Sequence, residues 1–97
     1  MSVTAILDLE LKADSLEHAH QVIHEILTDT RAFAGCLGVS VLVDCNNPAH
    51  VILVETWESA DHDKVYRKWR AGAGASNLGS VLAVTPKLGL FTVAEGV

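Results

Sequence analysis

Basic charge is the first thing this chain lacks. Seven Lys and Arg stand against twelve Asp and Glu, a formal net charge of −5. No basic stripe interleaved with aromatics appears, which argues against a nucleic-acid partner. Aromatic residues make up 5% of the 97 positions, so each one repays individual scrutiny. Only two cysteines occur, Cys36 and Cys45, at opposite ends of one expected strand. Nine extended residues span roughly 30 Å, whereas a disulfide needs its Cα atoms within about 7 Å. An intrachain bridge is therefore not expected, and neither CxxC nor zinc spacing is present. No apolar run approaches the roughly 20 residues of a membrane span. The first ten residues carry no basic segment and no cleavage pattern, so they do not read as a secretory leader. These absences lead us to expect a cytoplasmic protein that meets neither nucleic acid nor membrane.

What is present is strong periodicity. Val3, Ala5, Leu7, Leu9 and Leu11 alternate with mostly polar neighbours, the two-residue period of a strand. Asp14 with Glu17 three residues on resembles a capping box. A helix is expected from there to about Phe33, with Leu16, Ala19, Ile23, Ile26, Leu27 and Thr30 as its buried stripe. Gly35 ends it. Leu37 to Cys45 alternates again, with Leu37, Val39, Val41 and Val43 on one face. Asn46-Asn47-Pro48 reads as a turn. Val51-Ile52-Leu53-Val54 opens a third strand, reaching Trp57, that is apolar on both faces and so belongs at the centre of a sheet.

Ser59 is placed to cap a second helix, running to about Ala71. His62, Val65, Tyr66 and Trp69 recur at i, i+3, i+4 and i+7, the expected buried seam. Asp61, Asp63, Lys64, Arg67 and Lys68 are expected outside, with Asp63 and Arg67 as an i,i+4 pair. A short helix over Asn77 to Ala83 and a last strand over Lys87 to Ala94 complete the chain. The order β-α-β-β-α-β, with right-handed crossovers, gives an α+β, ferredoxin-like split sheet in strand order 4-1-3-2. No repeat or linker divides it, so residues 1–97 form one domain. Both helices cover one sheet face. The other needs cover, and 49% hydrophobic residues in so short a chain favour a second subunit.

Three segments carry a resemblance to a known family. Ala34-Gly35-Cys36-Leu37-Gly38 resembles a "PGCLG" motif at the start of the second strand. Leu53-Val54-Glu55-Thr56-Trp57-Glu58-Ser59 resembles "xVExWES" at the end of the third. Tyr66-Arg67-Lys68-Trp69-Arg70 is similar to an "AYLAWR" pattern. Together they resemble the antibiotic-biosynthesis monooxygenase family of dimeric α/β-barrel proteins. The resemblance implies a homodimer whose two sheets face each other, with a pocket between sheet and helices in each subunit. It implies oxidation of phenolic or quinol-type molecules by O₂ with no cofactor and no metal, the substrate itself giving the electron. Two departures stand out. An Asn that helps activate substrate in the polyketide-oxidising branch corresponds to Leu53 here. An Asn on the first strand of the haem-degrading branch corresponds to Leu7.

Candidate site residues follow from the seam and the motif. His62 is the candidate general base, because imidazole changes charge near neutral pH. Tyr66 is placed to bind a substrate oxygen through its hydroxyl. Trp57 and Trp69 are the expected ring-contacting walls. His20, beside the stripe of the first helix, is a further substrate-binding candidate. Its i,i+4 partner His24 supplies no third ligand, so a metal site is not expected. One pocket lined by Trp57, His62, Tyr66 and Trp69 is the expectation. The functions in view are a cofactor-independent monooxygenase for a small phenol or quinol, a non-catalytic small-molecule binder or stress-related protein, and a muconolactone-type isomerase.

Overall fold

The odd-numbered residues of the first strand do face inward. In the computed structural model, which describes all residues from Met1 to Val97, β1 (Val3–Glu10) buries Val3, Ala5 and Leu9. The elements that follow are α1 (Leu16–Ala32), β2 (Cys36–Asp44), β3 (Asn47–Trp57), α2 (Ala60–Arg70) and β4 (Lys87–Phe91). Single 3₁₀ turns at Ala13–Ser15 and Leu78–Val81 punctuate them. The four strands form one antiparallel sheet in the order β2-β3-β1-β4. This is the ferredoxin-like arrangement with β3 and β1 central. No helix is long and apolar enough to cross a membrane.

Register explains which residues share the helix-covered face. Val3 pairs with Trp57, Ala5 with Glu55, Leu7 with Leu53 and Leu9 with Val51. Val39, Val41 and Val43 of β2 stand beside Glu55, Leu53 and Val51. The opposite face carries Ile6, Ile52, Val54, Leu42 and Phe91 with no helix over it.

The layer under the helices divides into two apolar regions. One is aliphatic, built from Leu9, Leu11, Val22, Ile23, Leu27, Val51, Leu53, Val81 and Leu82 with Ala19. The other is aromatic, built from Val3, Ala5, Trp57 and Tyr66, with Phe33, Cys36 and Trp69 against them. α1 buries Ala19, Ile23, Leu27 and Thr30 of its expected stripe, half-buries Leu16 and Ile26, and adds Val22.

Four local expectations need correcting. The chain passes Asp14 in a 3₁₀ turn, and Ser15 precedes α1 with no side-chain cap bond, so no capping box forms. The hairpin turn is tighter than expected: Asp44 pairs with Asn47, and Asp44 Oδ1 accepts from Asn46 N–H, so Asn47 and Pro48 belong to β3. β4 stops at Phe91, and only one 3₁₀ turn forms before it. Finally, α2 is rotated from its expected seam. Val65 is 59% exposed, whereas Asp63 and Tyr66 are buried. The cause is Glu55, which faces the helix from β3 and draws Arg67, with Asp63 attached, toward the sheet.

Candidate functional site

Trp57, Tyr66 and Trp69 do meet, but they fill the space between them. Trp57 is wholly buried, with its ring centroid 4.7 Å from that of Tyr66. Phe33 closes the group, edge-on to Trp57 at 6.2 Å and to Tyr66 at 5.1 Å, and tilted against Trp69 at 5.1 Å. Such edge and tilted pairs are the preferred aromatic geometry and act as core. Trp69 reaches the rim, where Arg70 stacks on it at 4.6 Å and an open cleft continues over Ala73 to Asn77. Gly74 is required there, since a Cβ would collide with the Trp69 ring.

The Tyr66 hydroxyl is fully engaged. It lies 2.7 Å from Thr30 Oγ1 and accepts from Arg70 Nε at 2.8 Å. Thr30 Oγ1 donates to Ile26 O, so the tyrosine proton goes to Thr30. Arg70 also donates to Thr30, Ile26 O and Gly74 O, tying α2 to α1.

His62 lies outside the aromatic group, with its side chain 42% exposed. Ser59 caps α2 by accepting from His62 N–H, and the Ser59 hydroxyl meets His62 Nδ1 at 2.7 Å. The ring rests on Gly35, whose positive φ and lack of Cβ permit the contact. Beside it is a shallow depression formed with Phe33, Ala34, Asp61 and Val65. The expected four-residue pocket is therefore absent: its aromatic members pack together, and its histidine sits on the rim of the helix cap. His20 is placed elsewhere again. With His24 and Arg31 it borders an apolar groove of about 200 Å³ between α1 and the edge strand β2, floored by Ile23, Leu27, Val41 and Val43. No cluster of three or more metal-ligating side chains forms.

The cavity between sheet and helices lies where the aliphatic and aromatic regions meet. It measures about 130 Å³ and is lined by Leu7, Leu53 and Glu55 from the sheet, with Tyr66, Arg67 and Arg70 from α2. Ile26 and Leu27 of α1 and the segment containing Ser76 and Leu78 complete it. Leu7 and Leu53, the two positions where the resembling branches carry Asn, thus share one wall. Glu55 is the residue that our reading of the sequence passed over. Its side chain is 2% exposed, and Oε1 accepts from Arg67 Nη2 at 2.6 Å and from Trp57 Nε1 at 3.2 Å. Asp63 takes Arg67 from the other side at 3.1 Å. A buried carboxylate this well paired persists because removing either partner would strand a charge. The signal was available. Val51, Leu53, Glu55 and Trp57 share one face of a central strand, and a charge there demands a buried partner.

Cys36, at the edge of the aromatic group, has its thiol pushed up, mainly by burial, with the Glu55 charge adding to it. It is no ready thiolate.

A sequence profile of the family described as antibiotic biosynthesis monooxygenase matches residues 2–74, and the chain belongs to that family. No functionally curated protein matches it in sequence. Solved structures of the same fold include SnoaB, a cofactor-independent oxygenase from Streptomyces nogalater, at 15% identity and TM-score 0.80, covering 99% of this chain and 96% of SnoaB. A Deinococcus radiodurans protein described by the family name is 22% identical with TM-score 0.81, covering 98% and 95%. Rv0793 from Mycobacterium tuberculosis is 17% identical with TM-score 0.75 over the full length of both chains.

Proposed function

We propose that this chain binds a single-ring phenol or quinol in the cavity between sheet and helices and oxidises it with O₂, without a cofactor. The observation that carries this reading is the cavity itself, a largely apolar space with one charged end at Glu55 and Arg67. At about 130 Å³ it suits one ring; a dry cavity of about 150 Å³ accepts benzene, whereas drug-sized ligands need about 300 Å³ or more. A phenol with a free para C–H gives up its hydroxyl proton, which the peroxide formed later takes back, and the phenolate gives one electron to O₂. The phenoxyl radical and superoxide combine at the para carbon, and the hydroperoxide loses water. Phenol plus O₂ thus yields para-quinone plus water. The protein orients the ring and keeps bulk water from the intermediate. His62 would not take the proton in this scheme, because it lies outside the cavity.

In the same proposal two copies pair through the helix-free sheet face, burying Ile6, Ile52, Val54, Leu42 and Phe91. Obligate pairings bury more than about 2,000 Å², and light scattering at micromolar concentration tests this one.

A second reading, a non-catalytic binder, is favoured by Leu7 and Leu53, which put two isobutyl groups where the resembling oxygenases carry Asn. An oxygen electrode with a panel of single-ring phenols and quinols separates the two. Oxidation consumes one O₂ per quinone formed from a phenol. Saturable binding with no uptake across the panel leaves the binder, and neither binding nor uptake removes both readings.

A further inference from the structure

We infer that Glu55 receives the ligand's hydroxyl through its second carboxylate oxygen, and that this makes the cavity selective for neutral hydroxyl donors over carboxylates. The inference rests on the cavity being the ligand site proposed above.

The two oxygens of the Glu55 carboxylate are unequally bonded. Oε1 of Glu55 carries two hydrogen bonds, from Arg67 and Trp57, whereas Oε2 carries none. Yet no fully buried side-chain nitrogen or oxygen lacks a partner anywhere in the protein. Oε2 therefore still touches open space, although the side chain around it is 2% exposed. The space that Glu55 lines is the cavity. An unpaired carboxylate oxygen at the end of an apolar pocket invites a donor, since leaving such an atom unmade is costly.

Of the neighbouring cationic nitrogens only Arg67 Nη1 has no acceptor within the protein, and it belongs to a guanidinium whose charge Glu55 and Asp63 already share. Arg67 gives Nε and Nη2 to Asp63 and Glu55. All three nitrogens of Arg70 donate within the protein, to Tyr66, Gly74 O, Ile26 O and Thr30. The Tyr66 hydroxyl is held between Thr30 and Arg70. A ligand carboxylate would bring a negative charge against Glu55 while Asp63 already shares Arg67. A ligand hydroxyl would complete Oε2 with a charge-assisted bond, which shifts electron density onto the ring. Trp57 and Arg67 then act as positioning residues, holding Oε1 so that Oε2 faces the pocket.

The experiment is a calorimetric titration with phenol, benzonitrile and benzoate, three single rings that differ in donor, acceptor and charge. The wild type should bind phenol about ten- to a hundredfold more tightly than benzonitrile, the worth of a hydrogen bond to a charged group, and benzoate most weakly. In Glu55→Gln the amide oxygen stays on Arg67 and the amide N–H faces the pocket. Phenol should weaken and benzonitrile strengthen, a reversal that loss of a merely structural residue would not produce. Leu53→Phe, which fills the cavity, should abolish both. Equal wild-type affinities for phenol and benzonitrile, both lost in Leu53→Phe, would overturn the role of Glu55 and leave the cavity as the site. Ring binding that survives Leu53→Phe, or no ring binding at all, would overturn the site as well. The wild-type ratio needs no variant and reads the role of Glu55 even if Glu55→Gln does not fold.

Discussion

The two halves of the layer beneath the helices are built on opposite principles. The aliphatic half, around Leu9, Leu27 and Val51, is held by burial alone. The aromatic half, around Trp57 and Tyr66, is laced with polar bonds: Trp57 to Glu55, Glu55 to Arg67, Tyr66 to Thr30 and Arg70. Burial is non-directional and tolerates rearrangement, whereas hydrogen-bonded rings and ions have one geometry. The cavity opens where the two meet, and directed groups there are fixed before any ligand arrives.

The sharpest way to break this contrast is to remove the aromatic anchor. Trp57→Ala deletes the largest fully buried side chain and one donor to Glu55. It should cost about 3–5 kcal/mol, read by urea unfolding. Leu9→Ala in the aliphatic half, away from the cavity lining, should cost about 2–5 kcal/mol with less effect on ligand binding per kcal/mol lost. A smaller effect sharpens the polar side. Arg67→Met leaves Glu55 buried and unpaired and should cost about 3 kcal/mol, toward the low end for buried pairs because Arg67 is partly exposed. Adding Glu55→Leu should recover most of that loss, while phenol binding stays weak, near that of benzonitrile. Recovery of stability together with wild-type phenol binding would show that the charged pair does not make the site.

Smaller again are the changes at the cap of α2. Ser59→Ala removes the acceptor for His62 N–H and should cost about 1 kcal/mol. His62→Ala, at a partly exposed ring, should leave turnover within about twofold. A collapse of oxygen uptake in His62→Ala, with the fold intact, would restore the imidazole as base and move the chemistry to the rim.

The least disruptive perturbation is pH. On the helix-free face, His50 stands between Asp44 at 2.8 Å and Asp8 at 3.0 Å. The Asp44 hydrogen bond, then that of Asp8, raises the His50 pKa, and the bond from His50 holds Asp44 below its ordinary value. The raised imidazole contributes stability at pH below its unfolded value, and this is lost as pH rises through the folded value. The depressed carboxylate contributes above its unfolded value and loses it as pH falls through the folded one. The pair thus supports the fold on a plateau between mildly acidic and neutral pH and weakens on either side. His50→Gln should flatten both shoulders in thermal melts taken across pH.

Much of the fold was legible because strand alternation and helix periodicity report burial directly. The β-α-β-β-α-β order of elements and the doubly apolar start of β3 were enough to order the sheet. The site was less legible because it depends on polar partners that are distant in sequence. Glu55 and Arg67 are twelve positions apart, and Thr30 and Tyr66 thirty-six. Periodicity rated Val65 above Asp63 on α2, since hydropathy alone cannot see that an ion pair will carry Asp63 inward. His62 looked inward for the same reason, although its position near Ser59 equally suited a capping role.

The central claim is that a ring enters at the junction lined by Leu7, Leu53 and Glu55. The most direct test is methyl NMR on protein with labelled Leu and Val side chains, titrated with phenol. The three candidate spaces carry different methyls: Leu7, Leu53 and Leu78 in the junction, Val41 and Val43 in the α1–β2 groove, Val65 beside His62. Ring-current shifts at Leu7, Leu53 and Leu78, with Val41, Val43 and Val65 unmoved, are the predicted result. Shifts confined to the valines would contradict it.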